Sequence, residues 1–234
     1  FPFTEGFKYV PANDYDALAT ACTDDVCAVI AEPIQGEGGV NVLDIDYVRK
    51  LRALCDERDI LLIFDEVQTG VGRTGKFFAH EHFGVKPDIM TLAKGLGGGL
   101  PIGVYIAGEN CCDTLGSGMH GTTFGSNPVV CAGALNVLSR VAKPEFLDEV
   151  TKKGKYLCDK LMSYSPSKVV GVRGKGLMIG FQVSGNPKDY LHDAADKGLL
   201  VLTAGSDVIR LLPPLTISYD EIDKGVAILA DVLK

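Results

Sequence analysis

The stretch 64–77, FDEVQTGVGRTGKF, holds the most reactive-looking side chains in the chain. An apolar run ending in Asp65-Glu66 has the form of a strand end that holds a Mg²⁺ ion. The following GVGRTGK (70–76) fits the front of a phosphate-cradling loop, G-x-x-x-x-G-K. Such a loop needs Ser or Thr after its lysine and must lead straight from a strand into a helix. Phe77 stands where the hydroxyl is required, and the Gly-rich stretch follows the acidic pair with no strand of its own. Nucleotide hydrolysis is therefore set aside, and Lys76 with it. What remains is an aspartate at a strand end.

Two further ionisable groups occupy comparable positions. The run VCAVIAEP (26–33) ends in Glu32, and DIMTLAKG (88–95) ends in Lys94 followed by glycines. Ligands of open α/β sheets sit at the carboxyl ends of the strands, so Glu32, Asp65 and Lys94 together make a charged site on an apolar floor. An acid and an amine held across a flat ligand suit pyridoxal phosphate (PLP). The amine condenses with the aldehyde, and the carboxylate keeps the ring nitrogen protonated so the ring can draw off electrons. Read as one strand, DEVQ puts Asp65 and Val67 on the same side, the first for the ring nitrogen and the second for the ring face. Gln68 then offers an amide to the phenolic oxygen.

The elements that must position these groups alternate. Residues 26–33 read as a strand buried on both faces, because its apolar run barely alternates. YVRKLRALCDERD (47–59) reads as an amphipathic helix with Val48, Leu51, Leu54 and Cys55 on one face. LLIFDE (61–66), 88–93 and 103–108 follow as strands, which together predict a partial, mostly parallel α/β sheet with flanking helices. Pro128 opens a helix over 127–142, and another runs from Pro144 through Tyr164. Beyond it the texture is α+β, with strands in 169–183, 198–205 and 208–212 and helices over 189–197 and 219–233. A boundary near 140 separates a larger unit, 1–140, from a smaller one, 141–234.

Composition narrows the partners. A net charge of −7, with acidic and basic residues interspersed, argues against nucleic acid or an anionic membrane. No apolar run approaches the roughly 20 residues of a membrane span. Seven cysteines, an odd number without pairs at zinc-like spacing, point to a reducing compartment and to no metal. His80 and His82 have no third ligand nearby.

AEPIQGEGGV (31–40), residues 61–103, HGTTFGSNPVVCA (120–132) and RLLPPLTIS (210–218) resemble class III (subgroup II) aminotransferases, most of all the acetylornithine/succinylornithine branch. The resemblance implies a PLP-dependent fold of type I and a cytoplasmic homodimer with shared active sites (mitochondrial in a eukaryote). It implies amino-acid and 2-oxo-acid substrates. It makes Lys94 the amine that binds the cofactor and shuttles a proton, and Asp65 the partner of the ring nitrogen. Glu66, Val67 and Gln68 complete the cofactor contacts. Thr123 reaches the partner subunit's cofactor phosphate, and Thr122 lies beside the substrate. Arg210 binds the α-carboxylate of glutamate in bidentate fashion. Glu32 is the switch that neutralises Arg210 when an ω-amine is presented and swings aside for glutamate.

The implied reaction is transfer of the ω-amine of N²-acetylornithine to 2-oxoglutarate in arginine biosynthesis. Succinylornithine and succinyl-diaminopimelate are alternative donors. Ornithine-δ and γ-aminobutyrate (GABA) aminotransferases share the same motifs and stay open as alternatives. No Ser-Gly-Thr loop for the cofactor phosphate occurs in the chain. The expectation is therefore a C-terminal portion of the enzyme, nearly inactive alone, with a non-catalytic fragment that keeps fold and interface as the other reading.

Overall fold

The computed structural model describes residues 4–234. Two four-stranded sheets organise it. The first contains β1 (Ala28–Ala31), β4 (Leu61–Asp65), β5 (Ile89–Leu92) and β6 (Val104–Ala107), in that order. A two-stranded hairpin, β2 (Ile34–Gln35) with β3 (Asn41–Val42), intervenes between β1 and the helix that leads to β4. β1 and β5 both pair in parallel with β4, whereas β6 runs antiparallel to β5, so the sheet is mostly parallel, as expected, with one antiparallel edge strand. The Gly-rich turn after Lys94 accounts for the difference: it reverses the chain within a few residues, and no crossover helix intervenes.

Two short helices back this sheet: α1 (Tyr15–Ala21), capped by Asp14, and α2 (Ile45–Arg58). Val48, Leu51, Leu54 and Cys55 of α2 are buried as its periodicity predicts, against Leu62 and Phe64 of β4. At fully buried positions of this kind, each Leu or Val side chain contributes about 1.5–3 kcal/mol. β1 departs from expectation. It is the edge strand, not one buried on both faces, and Ile30 is 57% exposed. An unbroken apolar run reports what a strand can bury, and among the described residues no strand pairs with its outer side.

The second sheet has the order β7 (Val169–Lys175), β8 (Met178–Val183), β10 (Val208–Leu211) and β9 (Leu202–Ala204), all antiparallel. The run 169–183 is thus a hairpin, turning at Gly176 with φ +54°, and the expected strand over 198–205 shrinks to β9. Helices α3 (Pro128–Val141), α4 (Pro144–Ser163), α5 (Pro187–Asp196) and α6 (Tyr219–Val232) complete the chain. Proline at the first turn of α3, α4 and α5, and the Ser218–Glu221 capping box of α6, set their starts. α4, α5 and α6 cover one face of this sheet and share a core of Leu157, Leu161, Phe181, Ile209, Ile222 and Leu229.

The two sheets meet through the β2–β3 hairpin, whose Ile34 and Val40 pack on Met178, Ala204 and Val208. The GVGRTG stretch makes the second junction. Arg73 Nη1 donates to the carbonyls of Leu177 (3.0 Å) and Pro213 (2.6 Å), and Leu177 N donates back to Arg73 O (3.0 Å). A Cβ on Gly176 would lie 2.8 Å from Arg73 O, so this contact needs glycine. Among the described residues no helix is long and apolar enough to cross a membrane.

Candidate functional site

A cavity of about 500 Å³ opens where the two sheets meet, lined among others by Glu37, Val67, Gln68, Lys94 and Arg210. Lys94 opens a short 3₁₀ turn (Lys94–Gly97) directly after β5, with φ +45°. A non-glycine residue in that region costs about 1–3 kcal/mol and persists only where the surroundings impose it. Its side chain is exposed to the cavity and, among the described residues, makes no hydrogen bond or ion pair, which leaves the amine free to react.

Asp65 ends β4. Its Oδ1 accepts the Val67 N–H (2.9 Å) and the Thr91 hydroxyl (3.1 Å), and among the described residues Oδ2 has no donor. That first bond closes a turn: the strand stops at Asp65, and residues 67–70 turn away from it. The alternation expected for DEVQ therefore does not apply, although Val67 still lines the cavity. Thr91, one strand over, carries no motif signal. Its role comes from the β4–β5 register, which sets it opposite Asp65.

Glu66 points the other way, contrary to its expected place among the cofactor contacts. It is 1% exposed, and its Oε2 accepts the Ala79 N–H (2.6 Å) and the Thr69 hydroxyl (3.3 Å). Its Oε1 accepts the His80 N–H (2.8 Å) and lies 3.0 Å from His80 Nδ1. This carboxylate fastens the start of the 79–82 turn and has no free face. His82 Nε2 is spent on Thr74. Among the described residues no group of three His, Cys, Asp or Glu is arranged for a metal.

The largest correction concerns Arg210. This residue lies on β10, 4% exposed, and its ion-pair partner is Glu37, at 2.9 Å from Nη1, not Glu32. Glu32 Oε2 instead accepts the Gly36 N–H at 3.2 Å. Burial pushes the Glu32 carboxyl above its ordinary range, and the Asp65 and Glu37 charges push the same way. The bond to Arg210 holds the Glu37 carboxyl below that range, assisted by Gln68. Strand-end logic selects the first acidic residue after β1. The glycine-flanked turn 36–39 carries the second one back over the sheet, where it meets β10.

Gln68 Nε2 donates to Glu37 Oε1 (3.0 Å), and Gln68 Oε1 accepts from Arg210 Nη1 at 3.5 Å, so within the chain its amide faces this ion pair. Arg210 Nε is buried with no partner, which is costly unless a ligand supplies an acceptor. Thr122 and Thr123 are exposed in the loop before α3 and do not line the cavity. Thr122 Oγ1 accepts the Gly125 N–H at 3.0 Å.

The residues present fit PLP and a carboxylate substrate on three observations among the described residues: an unpaired lysine amine, a carboxylate oxygen with no donor, and a buried guanidinium nitrogen with no acceptor. The first two suit an aldehyde and a protonated ring nitrogen, and the third suits a substrate carboxylate.

Comparison with known proteins gives a consistent family. The model for "Aminotransferase class-III" matches residues 5–233. The acetylornithine aminotransferase of Caldanaerobacter subterraneus subsp. tengcongensis is 50% identical over 99% of this chain and 60% of its own length. The crystal structure of N-acetylornithine aminotransferase from Stenotrophomonas maltophilia superposes with a TM-score of 0.90 at 40% identity, over 98% of this chain and 62% of that one. The ornithine aminotransferase of Toxoplasma gondii, described with partial occupancy of PLP at its active site, gives a TM-score of 0.92 at 34% identity, over 100% of this chain and 57% of its own. The chain thus spans about 60% of the curated relatives it matches.

Proposed function

This chain belongs to the class-III aminotransferases, and from that premise we propose that the protein transfers the ω-amine of an acylated diamino acid to 2-oxoglutarate. N²-acetylornithine is the foremost donor, which puts the reaction in arginine biosynthesis. The observation that carries this reading is the Glu37–Arg210 pair facing the same cavity as the free Lys94 amine.

PLP, the cofactor of this family, supplies an aldehyde that takes up the substrate amine and a ring that draws electrons from the adjacent carbon. Asp65 Oδ2 would hold a proton at the ring nitrogen, and Thr91 and the Val67 N–H fix that carboxylate by binding its other oxygen. Val67 would pack on the ring, and Gln68 would bond the ring hydroxyl. Lys94 would hold and move the proton of the substrate carbon that bears the amine. Arg210 binds the α-carboxylate of glutamate once Glu37 moves away. With Glu37 in place its charge is neutralised, and an ω-amine chain can lie against it. One pocket so serves both half-reactions.

The shared active site of a homodimer is part of the same proposal, with Thr123 at the partner's cofactor phosphate and Thr122 beside substrate. Exposed apolar side chains at Met119, Phe124, Val129 and Leu135 support a covered surface there. A cytoplasmic location and a boundary near residue 140 complete it, the latter supported by the separate cores of the two sheets.

The test is a pair of half-reactions with acetylornithine and free ornithine side by side. Faster turnover of acetylornithine is expected. Equal or better turnover of ornithine would overturn the assignment in favour of an ornithine-type enzyme, the reading supported by the 34% identity to the Toxoplasma protein.

A further inference from the structure

The carboxylate on Arg210 is held by more than its arginine. Gln68 spans the ion pair, with its amide donor on Glu37 Oε1, the oxygen that also takes Arg210 Nη1, and its amide acceptor toward the guanidinium. The Glu37 side chain is 72% exposed. An ion pair on so exposed and flexible a chain is weak by itself, so a second bond decides where the carboxylate sits. Room for that bond comes from Gly36. A Cβ there would overlap Gln68 Oε1 and fall 2.7 Å from its Cδ. Gly36 does not have a left-handed φ, so the glycine is required for space and not for backbone conformation.

We propose that Gln68, given its room by Gly36, is the positioning residue that latches Glu37 onto Arg210 and thereby sets the balance between dicarboxylate and ω-amine substrates. This rests on the reading of Arg210 given above. Releasing the latch has effects of opposite sign. Arg210 becomes more available to a dicarboxylate and less neutralised toward an amine-bearing chain. Damage to the pocket, by contrast, would weaken both.

Gly36→Ala is the probe, because the added methyl meets the far end of a flexible side chain and displaces the amide without straining the backbone. The purified protein with added PLP is titrated with glutarate, a dicarboxylate that has no amine and cannot react, and its Kd is read by calorimetry. KM is then measured separately for glutamate and for the ω-amine donor. Loss of one hydrogen bond to a carboxylate this exposed to water, weakened to ordinary strength, predicts a roughly three- to tenfold fall in glutarate Kd and glutamate KM, with a rise of about that size in the donor KM. In a Gln68→Ala background the Gly36→Ala effect on glutarate Kd is expected to vanish, since nothing remains to displace. Wild-type glutarate binding that Gly36→Ala leaves unchanged, KM values that move together, or a Gly36→Ala effect that persists without Gln68 would each overturn the latch. Absence of glutarate binding to the wild type would overturn the reading of Arg210 beneath it.

Discussion

Glu66→Gln separates a structural carboxylate from a cofactor ligand by one atom. Each oxygen of Glu66 already takes a backbone N–H, Ala79 on Oε2 and His80 on Oε1. The amide NH₂ of glutamine must therefore face one of those two donors, whichever way it turns. Thr69 can rotate its hydroxyl, and His80 can change tautomer, but a backbone N–H has no such freedom. One buried N–H without a partner costs about 1–3 kcal/mol, and the bond that survives loses its charge assistance, for a total of about 2–4 kcal/mol. Urea unfolding should report that loss, while the Kd for PLP of the folded variant stays within about twofold of the wild type, because Glu66 has no face on the cavity. A stability change under about 0.5 kcal/mol, coupled to a tenfold or larger loss of PLP affinity, would refute this reasoning and return Glu66 to the cofactor.

Three other outcomes follow from the same contacts. Arg210→Ala should slow the glutamate half-reaction at least about tenfold more than the ω-amine half-reaction, since a bidentate carboxylate contact is lost in only one of them; similar losses in both, measured by single turnover, would speak against the Glu37 switch. Arg73→Met should destabilise the protein by about 2–4 kcal/mol, because the carbonyls of Leu177 and Pro213 lose their donor at the junction of the two sheets; chemical denaturation checks it. Burial raises the Cys55 and Cys158 thiols to about 11. At pH 9, where an ordinary thiol is mostly ionised, alkylation mapped by mass spectrometry should mark exposed Cys27 and Cys112 and spare Cys55 and Cys158 until the chain unfolds.

Much of this was legible in the residues. The α2 face, the proline-started helices and the three strand ends of the first sheet all followed from local periodicity and turn chemistry. Asp65 and Lys94 stood out as candidates because parallel strands deliver their carboxyl ends to one edge, and β4 and β5 do run parallel. What failed depended on contacts between distant segments. Nothing local distinguishes Glu32 from Glu37; the choice is made by a glycine turn that aims one of them at β10, some 170 residues later. Glu66 and Asp65 are adjacent in sequence, yet the end of β4 sends their side chains to opposite tasks. The exposed face of β1 likewise depends on what lies beside it, which its own composition cannot encode. The role of Arg73 could not be read at all, because its partners, two backbone carbonyls, leave no sequence signal.

The central claim is that Lys94 is the amine poised for the cofactor. Incubation of the protein with PLP, borohydride reduction and peptide mapping tests it most directly. The phosphopyridoxyl group should be found on the peptide carrying Lys94 and should vanish in Lys94→Ala. Modification confined to other lysines, or equal labelling in the variant, would contradict the account.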